Sequence, residues 1–355
     1  MNKDRLFMDI HVIQTLPPSN INRDDTGSPK TCQYGGVTRA RVSSQSWKKA
    51  VRKYFNDYGN LDNKGIRSRD IVRYIGEKIR EIDEEISLEE AVKLAETTLN
   101  KAKISTKELK LKALFFISEK QAHDFAKACL DGEKDKKKLQ EILNSNPSID
   151  IALFGRMVAD NPVLNEDASC QFAHAISTHK IEREFDYFTA VDDLQKEDNS
   201  GAGMLGTVEY NSSTVYRYAN VNLHELKRQL DDEEAYVYAA SLFVEAFIKS
   251  MPTGKINTFA NQTLPKAVLV TLRSDRPLNL ITAFENPIKS NEGYVEKSIE
   301  RLFDEYLKFE KILDKSQYTS YMVLDDFAVE EIGKKEESIK DLIKNLEANI
   351  KENLN

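Results

Sequence analysis

Across Leu6 to Gln14, Met8, Ile10 and Val12 alternate with Asp9 and His11, the period-two pattern of a strand with two unlike faces. The stretch that follows carries Pro17, Pro18 and Pro29 and reads as a loop. Trp47, Ala50, Val51 and Tyr54 then fall at helical spacing, and Ser43 and Ser44 stand where an N-cap hydroxyl belongs, so a helix begins there with its apolar stripe on the core. From about Asp62 to Ser145 the pattern is helical and charge-rich, interrupted by a run at Lys112 to Ser118 that predicts one further core strand.

Beyond Asp186 the character changes. Aromatic and β-branched residues flank a small, polar, glycine-bearing tip at Asn199 to Gly206, which predicts a long protruding hairpin. Glu233 to Lys249 reads as a helix, Ala267 to Arg273 as a buried strand, Val295 to Leu313 as a helix and Ser320 to Asp325 as a strand. This is the split βαβ order of RNA-recognition folds, so the expected class is α+β with an RNA-recognition-motif (ferredoxin-like) core. Ile339, Leu342, Ile343, Leu346 and Ile350 predict a closing amphipathic helix. The expected organisation is core from 1–58, helical insertion over 59–160, return to the core over 161–185, hairpin over 186–222, the rest of the core over 223–328, and the terminal helix over 329–355.

Composition narrows the class. The 355 residues are 40% hydrophobic and 31% charged, and no apolar stretch approaches the roughly 20 residues of a membrane helix, so a cytoplasmic protein with no membrane partner is expected. Met1 to Ile13 carries Asp4, Arg5 and Asp9 and does not read as a secretory signal. Cys32, Cys129 and Cys170 lie far apart without a Cys-x-x-Cys pair and are read as reduced thiols.

The net charge of −7 hides an uneven distribution. Lys30 to Lys53 holds seven cations and no acid, while acids gather near Glu81 to Glu90, Asp192 to Asp198 and Asp231 to Glu234. In an extended backbone Arg39 and Arg41 share a face. In the following helix Gln45, Lys48 and Arg52 form a ridge opposite Trp47, with Lys49 beside it. Cations converging on a helix N-terminus that also presents Ser43 and Ser44 suit phosphate oxygens. The alternative reading is a solvated cationic face.

Several blocks carry a resemblance. They are Asn22-Arg23-Asp24-Asp25; Tyr34-Gly35-Gly36; Arg41-Val42-Ser43-Ser44-Gln45-Ser46; Asp150-Ile151-Ala152-Leu153 with Gly155-Arg156-Met157; Ala173-His174-Ala175-Ile176; Tyr187-Phe188-Thr189-Ala190-Val191-Asp192-Asp193-Leu194; and Tyr216-Arg217-Tyr218-Ala219-Asn220. In this order they resemble CasC, the Cse-type backbone subunit of the type I-E CRISPR Cascade complex, in the RAMP superfamily.

The resemblance implies a core with helical fingers and a thumb hairpin, and several copies polymerising along one guide RNA. It implies partners: the guide RNA, target DNA paired to it, neighbouring copies and other Cascade subunits. Arg23, Lys30, Ser43, Gln45, Lys48 and Arg52 are then expected to hold the sugar-phosphate chain, with Arg39, Arg41, Ser44, Lys49 and Arg156 as further RNA-binding candidates. Met157 is expected to wedge against bases, and Phe188 and Thr189 to reach over the RNA of the adjacent copy. Tyr187 departs from the family, which often has Trp there, and the hairpin tip is longer and more acidic.

Other motifs point elsewhere. Gly201-Ala202-Gly203-Met204-Leu205-Gly206 satisfies G-x-G-x-x-G, but a strand pattern follows it instead of a helix, so no dinucleotide cofactor is expected. His174 and His179 are five apart, off one helical face, and read as structural, with no metal expected. A second functional reading is a metal-dependent endoribonuclease of the same superfamily using Asp24, Asp25, Asp192 or Asp193. A third is a structural assembly protein without nucleic acid, which leaves the acid-free cationic segment unexplained.

Overall fold

The computed structural model describes residues 5–190, 204–324 and 332–354. In chain order come β1 (Phe7–Ser19), β2 (Thr31–Tyr34), β3 (Val37–Val42), α1 (Ser44–Tyr58), β4 (Gly65–Ser68), α2 (Ile71–Ile82) and α3 (Leu88–Lys101). Next are β5 (Thr106–Lys107), β6 (Lys110–Leu111), β7 (Phe115–Ser118), α4 (Glu119–Leu130), α5 (Lys136–Asn144), α6 (Ile149–Phe154), β8 (Cys170–Phe172), β9 (Ala175–Ser177), β10 (Glu184–Ala190) and β11 (Met204–Asn222). The chain closes with α7 (Leu223–Leu230), α8 (Glu233–Lys249), α9 (Ile256–Phe259), β12 (Ala267–Arg273), α10 (Val295–Phe309), β13 (Tyr318–Val323), β14 (Lys334–Lys335) and α11 (Ile339–Leu354). The class is α+β, with eleven α-helices among the described residues.

Two compact units emerge. One comprises 1–54, 172–220 and 241–355; the other comprises 55–171 and 221–240. The helical unit thus includes a later segment, 221–240, of which the sequence pattern placed 221–222 in the hairpin and 223–240 in the core.

The first unit is built on a sheet ordered β14-β13-β12-β1-β11-β9-β3-β2, with β10 paired to β11. β1, β12 and β13 are antiparallel, in registers Ile10↔Val270 and Val270↔Ser320. β1 runs on through Pro17 and Pro18, where the sequence predicts a loop. Its pairing with β12 ends at Ile13↔Ala267, so prolines without an N–H cost that ladder nothing. One apolar cluster gathers Ile13, Leu269, Phe284, Leu302, Phe303 and Tyr321; another gathers Leu16, Val42, Trp47, Val215 and Met251.

The unlike faces of β1 are both buried. Asp9 and His11 find polar partners on one buried face, and Gln14, on the other, bonds with Thr263 and Arg217. Asp9 Oδ1 accepts from Tyr218 Oη (2.6 Å) and Asn220 Nδ2 (3.0 Å), and Oδ2 accepts from Leu278 N (3.0 Å). His11 Nδ1 bonds with Tyr216 Oη at 2.8 Å. Burial, opposed by these bonds, raises the Asp9 carboxyl to about 7, and burial lowers His11 to about 3.

In the second unit α2, α3 and α4 pack around Ile71, Ile75, Leu99, Phe125 and Leu139. Reciprocal capping boxes start α3 (Ser87 with Glu90) and α4 (Ser118 with Gln121). A Cβ at Gly76 on α2 would come within 2.7 Å of Val92 Cγ2 on α3, so glycine permits the close approach of these helices. The run at Lys112 to Ser118 does not join the main sheet. Its strand, β7, pairs with β4 in a separate two-stranded sheet, Gly65↔Ser118 to Ser68↔Phe115. A short apolar run predicts a strand without saying which partner it finds, and the partner here is local.

Candidate nucleic-acid interface

The predicted hairpin forms between β10 and β11, with Phe188 opposite Gly206 and Thr189 opposite Leu205. Every β10 residue is exposed, Phe188 and Thr189 included. A Cβ at Gly206 would lie 2.4 Å from Phe188 Cζ, so the ring lies across the glycine. Of the predicted tip, 199–203 lie outside the described residues, as do Asp192 and Asp193.

The cation-rich segment is organised by Asn22. Its Oδ1 accepts from Ser43 N (2.8 Å), its carbonyl accepts from Lys30 N (2.8 Å), and the Lys30 carbonyl accepts from Arg41 N (3.0 Å). These bonds bring Lys30, Arg41 and the start of α1 beside the loop that carries Arg23. Asp24 closes that loop: Oδ1 accepts from Thr26 N, Thr26 Oγ1 and Ser28 N at 2.7–3.0 Å. The Thr26 hydroxyl chief among these donors holds its carboxyl below the ordinary range.

Ser43 caps α1, its carbonyl accepting from Ser46 N (3.0 Å) and its Oγ from the same N–H (3.4 Å). Ser43 and Ser44 are both buried. Trp47, Val51 and Phe55 form the buried stripe of α1; Gln45 and Lys49 are exposed, and Lys48 and Arg52 are partly exposed. The first turn holds no acid.

Arg41 stays partly exposed, its Nε donating to Thr31 O (3.2 Å) and its Nη1 3.4 Å from His174 Nδ1. Burial first, then the Arg41 and Lys30 charges, keep His174 below its ordinary value, so it faces Arg41 as a neutral imidazole at neutral pH. His179 is structural: its Nε2 accepts from Thr214 N (3.1 Å), and its ring stacks on Tyr294 at 3.6 Å.

Two of the cations expected at the RNA are buried inside the protein. Arg39 is fully buried, donating to the carbonyls of Tyr34, Ser177, Phe284 and Glu285. Arg156 is 4% exposed and donates to the carbonyls of Leu164, Phe116 and Leu143 and to Asn144 Oδ1. Burial lowers both, Arg156 to about 10. Their donors are used on the protein's own backbone, which a sequence pattern of cations cannot distinguish from phosphate contact. Met157, by contrast, is 83% exposed.

Sequence reasoning missed Arg183, which donates to Thr31 Oγ1 (3.3 Å) and lies 3.7 Å from Glu209, and Lys255, held at φ +50°. Lys255 follows Pro252-Thr253-Gly254, and that turn composition was the available signal. Among the described residues, no group of three or more His, Cys, Asp or Glu could hold a metal ion, and no helix is long and apolar enough to cross a membrane.

The described residues form an α+β fold in which strand β10 of the β10–β11 hairpin is exposed and one face of α1 bears Lys48, Lys49 and Arg52. The chain matches the CT1975-like protein family over residues 8–345 and belongs to it. It is similar to a chain solved in a "CRISPR RNA-guided surveillance complex, pre-nicking", with 32% identity, a TM-score of 0.86, and coverage of 96% of this chain and 99% of that one. A second similar chain, from a "CRISPR RNA-guided surveillance complex", shows 30% identity and a TM-score of 0.67 over 97% and 99%. No curated protein matches the chain.

Proposed function

We propose that this protein is the non-catalytic guide-RNA backbone subunit of a Cascade-type complex, of the Cse-type CasC kind found in type I-E systems. Copies polymerise along one guide RNA in the cytoplasm, grip its sugar-phosphate chain and displace nucleotides at regular intervals. The rest of the guide stays open to pair with target DNA in antiviral defence. The RNA-recognition core, the fingers and the thumb correspond to the sheet unit, the helical unit and the β10–β11 hairpin.

The observation that carries this reading is the α1 face. Gln45, Lys48, Lys49 and Arg52 stand away from the Trp47 stripe, and the Asn22 bonds join Lys30 and Arg41 to the start of the same helix. A surface that accepts any guide must grip phosphates and leave base edges for pairing. Exposed Met157 and Phe188 suit base displacement, where stacking contributes roughly 1–3 kcal/mol per base. Likeness to chains of RNA-guided surveillance complexes over nearly the whole length supports the assignment. The experiment is to purify the protein expressed with a CRISPR array. Co-elution with short RNAs of one length class is expected, and an RNA-free protein contradicts the proposal.

A further inference from the structure

Arg39 and Arg41 stand two apart on β3 and are used differently. Arg39 gives its donors to carbonyls inside the protein. Arg41 is half-exposed: Nε donates to Thr31 O (3.2 Å), Nη1 donates to His174 Nδ1 (3.4 Å), and Nη2 keeps both N–H groups without a protein partner among the described residues. An arginine only donates, so Nδ1 is the acceptor and the proton of the neutral imidazole sits on Nε2. Two acceptors thus fix the guanidinium and leave Nη2 as its open corner.

The backbone holds His174 from both sides. Ala173 N donates to Tyr218 O (3.0 Å), and Ala175 stands opposite Val42 in the register that sets Arg41 against Ile176. The ring itself is exposed. The charges acting on it are Arg41 from β3 and Lys30 from the loop ahead of β2, and these two segments are joined by the bond from Arg41 N to Lys30 O (3.0 Å). The Cys32 thiol beside the same arginine is held above its ordinary value by burial and stays uncharged. An anion seated on Arg41 Nη2 and Lys30 would reverse the field at the imidazole, replacing two cations by a neutralised pair and a negative oxygen.

We propose that Lys30, Arg41 and His174 form a proton-coupled phosphate site, in which His174 is the positioning residue: its Nδ1 holds Arg41 until a backbone phosphate arrives, and then takes up a proton. This rests on the guide-RNA reading above. The proton comes from solvent onto Nδ1 as the Arg41 N–H turns from the ring to the phosphate oxygen. A group that gains a proton on binding makes binding stronger as pH falls between its free and bound values, because the two equilibria are linked reciprocally. The site therefore tightens the hold on RNA in mild acid.

The test is calorimetry of the full-length protein, purified without a CRISPR array, binding a single-stranded RNA at about pH 6.5 in two buffers of different ionisation enthalpy. Wild type is expected to take up protons, seen as a heat that differs between the buffers, and its affinity should rise by up to about tenfold per unit fall in pH. His174→Asn, whose Oδ1 replaces the Nδ1 acceptor and cannot be charged, is expected to bind RNA with less proton uptake and a flatter pH profile. Asp9 and His11 titrate inside the fold of both proteins and cancel in the comparison. RNA binding with equal proton uptake in wild type and His174→Asn overturns the inference and leaves the guide-RNA reading intact. If His174→Asn does not fold, wild type decides alone, and a heat of binding that is the same in both buffers overturns the inference. A wild-type protein that binds no RNA overturns both.

Discussion

The Arg217 guanidinium lies 3.7 Å from the centre of the Trp47 ring. Arg217, on β11, also donates to Gln14 Oε1 on β1 (2.5 Å) and to Phe247 O. Burial lowers it to about 9. This contact fixes the inner stripe of α1 to the sheet and thereby sets the direction of the outer ridge. Trp47→Ala is expected to cost about 3–5 kcal/mol, the range for deleting a buried aromatic. Denaturant unfolding measures it, and RNA affinity per folded molecule should fall as the ridge loses its footing.

Met157 distinguishes a wedge from a core residue. At 83% exposure, Met157→Ala should change stability by less than about 0.5 kcal/mol. Its effect is expected in the RNA instead, as altered reactivity of the displaced nucleotides. A large fall in thermal midpoint with an unchanged RNA pattern would make Met157 structural.

Asp9 predicts a pH dependence. Its folded value is about 7 against an ordinary 3.8. Between those values the folded state keeps a proton that the unfolded chain has released, so this group's stabilisation is lost as pH rises through the window. His11 works in the opposite sense: it stays neutral when folded down to about 3 while the unfolded imidazole takes up its proton near 6.5, so stability is lost as pH falls through that range. Asp9→Asn should remove the first slope, on the order of 1 kcal/mol per pH unit, in unfolding midpoints measured across the window. Parallel slopes in both proteins would contradict the placement of Asp9.

Asp24 is used by its own loop, so Asp24→Ala is expected to loosen the segment that carries Arg23 and to weaken RNA binding several-fold. Magnesium or manganese added to bound RNA should leave it intact in both proteins. Fragments that appear in wild type and vanish in Asp24→Ala would favour the endoribonuclease reading.

Much of this was legible in the chain. Ala267–Arg273 coincides with its predicted strand, Val295 begins its predicted helix, and in the last helix Leu342, Leu346 and Ile350 of the predicted stripe are fully buried while Ile339 and Ile343 are partly buried, because periodicity reports the buried face. The failures share a physical cause. Period-two spacing put Arg39 and Arg41 on one face but could not show that four carbonyls close around Arg39. The apolar run ending at Ser118 showed a strand but not its partner, β4. Arg183 and Lys255 lie far from Arg23 in sequence, and only the folded chain brings them to the loop that carries it.

The central claim is that the α1 ridge holds a ribose-phosphate strand, and salt titration of RNA binding tests it most directly. Plotted as log affinity against log salt, the wild-type slope should be about −0.7 per phosphate neutralised, and the Lys48→Glu, Arg52→Glu double variant should lose assembly on RNA. A wild-type affinity that does not change with salt, or a double variant that assembles as well as wild type, would contradict the account.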